Sequence, residues 1–166
     1  MIAFVVVAAV FAFVVLSTGI FASERGKDTI FAALAKTRGS MSLTGGVIAT
    51  SNQTKITTIT LDMTLAAGGD SINLNPASTN NKTIVSYVDD TMTSNSLTYV
   101  TAVITGNSDY LLEQGELLEL TITLPVASNV AANKTFTLEV KPPSGSVMII
   151  QRTAPASLAN TIIDLN

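Results

Sequence analysis

The chain has no cysteine, no histidine and no tryptophan. Without cysteine there is no disulfide framework and no thiolate nucleophile. Without histidine the commonest general base and the commonest transition-metal ligand are both missing. Zinc sites of the ordinary kind lose most of their ligands, and a serine triad loses its usual base. Charge is scarce too. Asp, Glu, Lys and Arg make up 13% of the chain, and the formal net charge is −3. A weakly acidic chain with scattered Lys and Arg has no electrostatic footprint for nucleic acid. No basic run flanks the apolar start, so a polybasic lipid switch is not indicated either. The composition points to a structural protein without cofactor or metal rather than to an enzyme.

What is present is unevenly placed. Residues 1–22 read MIAFVVVAAVFAFVVLSTGIFA, broken only by Ser17, Thr18 and Gly19. At 1.5 Å per residue a helix of this length spans roughly 33 Å, about one hydrocarbon core. Val and Phe are indifferent helix formers in water. In an apolar setting, however, the backbone must satisfy its own hydrogen bonds, which favours helix. An apolar helix with no polar face must be covered on every side, by lipid or by protein. A cleaved signal peptide is the competing reading, but the positive start and the shorter apolar core it needs are not seen.

Beyond Ser23 come Glu24, Arg25, Lys27 and Asp28, then Ile30, Phe31, Leu34 and Ala35. That spacing gives a one-sided helical stripe. One helix is therefore expected over residues 1–38, apolar all round and then amphipathic. Gly19 and Gly26 are expected to permit a bend or close neighbours, and Gly39 to stop the helix.

From Ser40 the period becomes two. Ile59, Leu61, Met63 and Leu65 alternate with polar residues. So do Leu118, Leu120, Ile122 and Leu124, and so do Phe136, Leu138 and Val140. These are half-buried antiparallel strands. Weaker strands are expected at 46–50, 83–88, 97–105 and 147–152. Turn signals separate them: Gly68-Gly69-Asp70, Asn80-Asn81, Gly106-Asn107, Gly115, Pro142-Pro143 and Gly145. About seven short strands at such spacing indicate a sandwich or a small barrel. The fold class is α+β: a hydrophobic N-terminal helix over 1–39 and an antiparallel β domain over 40–166.

Three N-x-[ST] motifs fall at expected loops or strand edges, at Asn52, Asn81 and Asn133. They are candidate N-glycosylation acceptors, read against the plainer alternative of polar turn residues. Asp89 with Asp90, and Asp109 with Glu113 and Glu116, are candidate hard-cation ligands. Neither cluster has the D-x-D-x-D-G loop pattern, so solvated turn carboxylates are the favoured reading. Nothing supplies a nucleophile or a phosphate-binding glycine loop.

Residues 2–11, IAFVVVAAVF, resemble the N-terminal helix of archaeal flagellins, the archaellins. Residues 136–145, FTLEVKPPSG, with 152–155, RTAP, resemble the end of the same family. Residues 111–123, where Gly115-Glu116 lead into a strand, are a third match. The resemblance implies a type IV pilin-like helix followed by an immunoglobulin-like β-sandwich. It implies a filament with helices in the core and sandwiches in the outer sheath, turned by a cytoplasmic motor for swimming. Partners would be other copies of the chain, the membrane before assembly, and the motor and platform proteins at the filament base. The finished subunit would be extracellular and N-glycosylated.

On this reading Phe4, Val7, Ala8, Phe11, Val14, Val15 and Gly19 pack in the filament core. Family precursors are trimmed just before the apolar segment. The charged leader and cleavage-site glycine that accompany trimming are not in this sequence. An adhesive pilus subunit and a single-pass anchored surface domain share the same layout and are the alternatives.

Overall fold

A computed structural model describes residues 2–66 and 68–165. By internal contacts the chain divides into two units, Met1–Ala35 and Lys36–Asn166.

The first unit is helical: α1 runs as Ile2–Arg38 without interruption, its last residues falling in the second unit. Gly19 and Gly26 do not break it, and a methyl group on either would meet nothing within 4 Å. The hydroxyl of Thr18 donates to the carbonyls of Val14 and Val15, and that of Thr29 donates to Arg25. These bonds back to the preceding turn let hydroxyl residues sit in an apolar helix without an unpaired donor.

Gly39 follows the last helical residue, as expected of a stop, but for a different reason. It is not one of the glycines at positive φ. A Cβ on Gly39 would lie 2.5 Å from the carbonyl oxygen of Ser144. Bare backbone is needed there for close approach, not for a left-handed cap. Gly145 faces it at φ 110°, and its own Cβ would lie 1.8 Å from the Gly39 carbonyl oxygen. The hydroxyls of Ser40 and Ser146 meet at 2.9 Å beside this crossing.

The second unit is built of strands. They are β1 (Met41–Ser51), β2 (Ile56–Leu65), β3 (Ile72–Asn73), β4 (Ile84–Val88), β5 (Thr93–Ser94) and β6 (Tyr99–Thr105). Then come β7 (Leu111–Leu112), β8 (Leu117–Thr123), β9 (Thr135–Lys141), β10 (Met148–Thr153) and β11 (Ile162–Asp164). One sheet has the order β11-β1-β2-β8-β6, a second β10-β9-β4-β5, and β3 pairs with β7. Every pairing is antiparallel.

The alternating residues point as their period predicts. Ile59, Leu61 and Met63 from β2, and Leu118, Leu120 and Ile122 from β8, are buried in one cluster with residues of the second sheet. Those are Val85 and Tyr87 of β4 with Phe136, Leu138 and Val140 of β9. Rings Tyr87 and Phe136 stack at 6.4 Å. Two inner faces sharing one core make a sandwich, not a barrel.

Several strands differ from expectation. Strand β1 starts five residues earlier than its apolar run. Gly45, at φ 83°, absorbs a register shift between Leu43 and Val47 and lets the strand continue through a bulge. Strand β6 begins at Tyr99 rather than residue 97. The short strands β3, β5, β7 and β11 carry no alternation long enough to read.

Candidate assembly helix and modification sites

The seven residues expected in a filament core fall on one side of α1. At 100° per residue, Phe4, Val7, Ala8, Phe11, Val14, Val15 and Gly19 cover an arc of roughly 140°. All seven are exposed within the chain. Phe4 is 80% exposed and Phe11 69%. The rest of the circumference is equally apolar and equally bare, with Val5, Val6, Val10, Phe13, Leu16, Ile20 and Phe21 on it. No charged residue precedes Glu24. Further along, Ile30, Phe31 and Leu34 form the expected stripe and are exposed as well.

Fully burying one such side chain is worth about 1.5–3 kcal/mol. Sixteen large apolar side chains between residues 2 and 34 are exposed, so water is not the environment of this helix. Among the described residues, α1 is the one helix long and apolar enough to cross a membrane.

The three sequons lie on the second unit and differ in setting. Asn52 follows β1 and is exposed, with Gln53 and Thr54. Its side-chain oxygen accepts from the backbone N–H of Thr54 at 3.1 Å and of Lys55 at 2.9 Å. This is an Asx turn, and Gln53 takes the left-handed conformation at φ 70°. Asn133 precedes β9, is exposed, and sits at φ 60°. Thr135 is exposed, and its hydroxyl meets that of Thr153 at 2.8 Å.

Asn81 is also exposed and left-handed, at φ 50°. Its acceptor threonine is not exposed. Thr83 is fully buried, and its hydroxyl donates to the Asn73 carbonyl at 2.8 Å. The Thr83 carbonyl accepts from the Tyr99 hydroxyl at 2.9 Å. Lys82 lies over the Tyr99 ring, 5.9 Å from its centre. Burial raises the Tyr99 pKa, so that hydroxyl keeps its proton as a donor. The sequence signal for this burial is slight: a threonine one residue ahead of a strand.

The carboxylates serve as local acceptors. Asp89 accepts from the Tyr87 hydroxyl at 2.6 Å, the Asn129 N–H at 3.0 Å, the Met92 N–H at 2.7 Å, and both the N–H and hydroxyl of Thr91 at 2.7 Å. Burial opposes its charge. The hydrogen bonds from Tyr87, Asn129 and Thr91 together outweigh that and hold its pKa below the usual carboxylate range. Tyr87 is pushed upward, first by burial and then by Asp89. Asp90 pairs with Lys134.

Glu116 accepts from the N–H of Asn107 at 2.9 Å and of Glu113 at 3.1 Å, and Asp109 accepts from the N–H of Leu111 at 2.9 Å. Among the described residues, no group of three His, Cys, Asp or Glu side chains stands where it could share a metal ion. The sequence marks Asp89 as a turn carboxylate but not as a tie to Tyr87 and Asn129. The signal for the turn was Asp89 followed two residues later by Thr91, an Asx-turn pattern.

A helix bare on all sides, preceding in sequence a sandwich with its own closed core, defines a class. Its members have an apolar segment covered by something outside their own chain. The chain belongs to the archaeal-type flagellin family, whose model matches residues 1–152. It is 31% identical to a probable flagellin 1 of Archaeoglobus fulgidus, over 98% of this chain and 89% of that one. It is 24% identical to a probable flagellin 1 of Aeropyrum pernix, over 95% and 88%. Its structure matches that of the archaeal flagellum of Methanospirillum hungatei strain JF1 with a TM-score of 0.74 at 26% identity, covering 98% and 93% of the two chains. A crystal structure of an archaeal flagellin from Methanocaldococcus jannaschii shares the fold, with a TM-score of 0.62 at 17% identity, over 75% of this chain and 95% of that one.

Proposed function

We propose that this chain is a structural subunit of an archaeal flagellum filament used for swimming. Helix α1 is packed among sister helices in the core, and the sandwich is outside. The observation that carries the reading is the first part of the helix, up to Phe21, apolar and exposed around its whole circumference. Lipid covers it before assembly and sister helices cover it afterwards. Moving between two apolar environments costs little hydrophobic free energy, so packing decides. The small residues Ala8, Ala9, Ala12 and Gly19 let helices approach closely. Contacts between unlike surfaces that do not close a ring produce an open helical polymer.

The motor and platform proteins would engage the filament at its base, and at least one of the three sequons would carry an N-linked glycan. Family membership supports a structural rather than catalytic role.

Electron microscopy of detergent-free native material tests the reading. A thin filament with α1 in its core is the expected result, and monodisperse monomers would overturn it. Deleting the gene should abolish swimming. Loss of surface adhesion with swimming intact would assign the chain to an adhesive pilus instead.

A further inference from the structure

We propose that the fold sorts the three sequons: Asn52 and Asn133 accept a glycan on the folded subunit, and Asn81 does not. This rests on the glycosylation reading above and narrows it. In the transfer, the amide nitrogen of the acceptor asparagine attacks the anomeric carbon of a lipid phosphate-linked oligosaccharide. A carbon–nitrogen bond forms, the anomeric bond to the phosphate oxygen breaks, the amide gives up one proton, and the lipid phosphate leaves. The motif requires a hydroxyl two residues on, so the transferase must reach that hydroxyl together with the amide.

At Asn52 and Asn133 both groups are within reach, because Thr54 and Thr135 are exposed. At Asn81 the hydroxyl is closed off. Thr83 is fully buried and holds the Asn73 carbonyl, and the adjoining backbone is pinned by Tyr99. Presenting Thr83 to an enzyme means opening the start of β4 and breaking both bonds. Buried hydrogen bonds of this kind suppress such opening by about tenfold or more.

Placement separates the sites in the same way. Strand β1 begins beside the Gly39–Gly145 crossing and ends at Ser51, so Asn52 lies at the other end of the sandwich, roughly 30 Å away. Ala132, next to Asn133, lines one groove with Gln53 and Thr54. Asn81 instead lines a groove with Pro143 and Ser144, at the Gly39 end. The open sequons thus share the end of the sandwich far from the Gly39–Gly145 crossing, and the closed one lies near that crossing.

The test uses the full chain, folded in detergent, with an archaeal oligosaccharyltransferase and a labelled lipid-linked oligosaccharide. Synthetic peptides spanning residues 49–57, 78–86 and 130–138 run in parallel, and mass spectrometry reads each site. All three peptides should be modified. In the folded chain Asn52 and Asn133 should be modified, and Asn81 at least about tenfold more slowly. Modification of Asn81 in the folded chain at a rate like that of Asn52 overturns the proposal. Failure of the 78–86 peptide also overturns it, since the fold would then not be the cause. If no site reacts in chain or peptide while a control acceptor does, the glycosylation reading itself fails.

Discussion

At the scale of single residues, the informative positions are those where a polar group or a bare backbone is held against another segment. Asp89 joins β4, the turn after it and the segment around Asn129 through hydrogen bonds to its carboxylate. Its folded pKa lies below the unfolded value of about 3.9. The folded state therefore binds fewer protons in acid. The stability contributed by Asp89 is complete above the unfolded pKa and is lost as pH falls through the folded one. An Asp89→Asn subunit should be less stable at neutral pH and lose less on acidification. Thermal melts between about pH 7 and 2 would read this as a flatter acid limb. Gly145 answers a different demand. An alanine there would need an unfavourable φ and would overlap the Gly39 backbone. Gly145→Ala should destabilise the sandwich by about 1 kcal/mol or more, read by denaturant titration of the detergent-solubilised subunit.

At the scale of elements, α1 and the long strands were legible and the short strands were not. Periodicity needs several repeats to show. Strands β2, β8 and β9 supply three to five inward apolar residues each, whereas β3, β5 and β7 have two residues apiece. Strand β1 was legible only in part, since its Gly45 bulge breaks the alternation that marks a strand. For α1, length and composition were enough, because up to Ala22 every face is apolar and no register had to be guessed. The element also carries the sharpest assembly prediction. Val7→Asp or Phe11→Asp places an unpaired carboxylate among apolar helices, which costs several kcal/mol per contact site. Filaments should be absent by electron microscopy with the mutant subunit still in the membrane fraction. Phe11→Leu should assemble normally. Normal filaments from the Asp variants would remove α1 from the core.

At the scale of the whole molecule, the two units meet different solvents. Among the described residues, the buried apolar residues of the core come from Met41 onward, so the sandwich owes its hydrophobic stability to itself. Residues 40–166 expressed alone should be soluble, monomeric and cooperatively folded. Circular dichroism and sedimentation would check this, and aggregation would mean that the sandwich depends on the helical segment. The full chain without detergent should instead polymerise or precipitate, because the bare helix cannot remain in water.

The sequence by itself determined the division into an apolar helix and an alternating β domain. Those features depend on local pattern: apolar length in one case, a period of two in the other. It also named the three candidate asparagines, since the motif is contiguous. Tertiary structure decided what the neighbours in space contribute. It made Gly39 a crossing point rather than a left-handed cap, turned Asp89 into a tie between loops, and buried the hydroxyl of Thr83. Each depends on a partner far along the chain, Gly145, Asn129 and Asn73 or Tyr99 respectively, and no local pattern encodes such pairings. The apolar start is the converse case: within one chain nothing covers it, and its partner lies outside the fold.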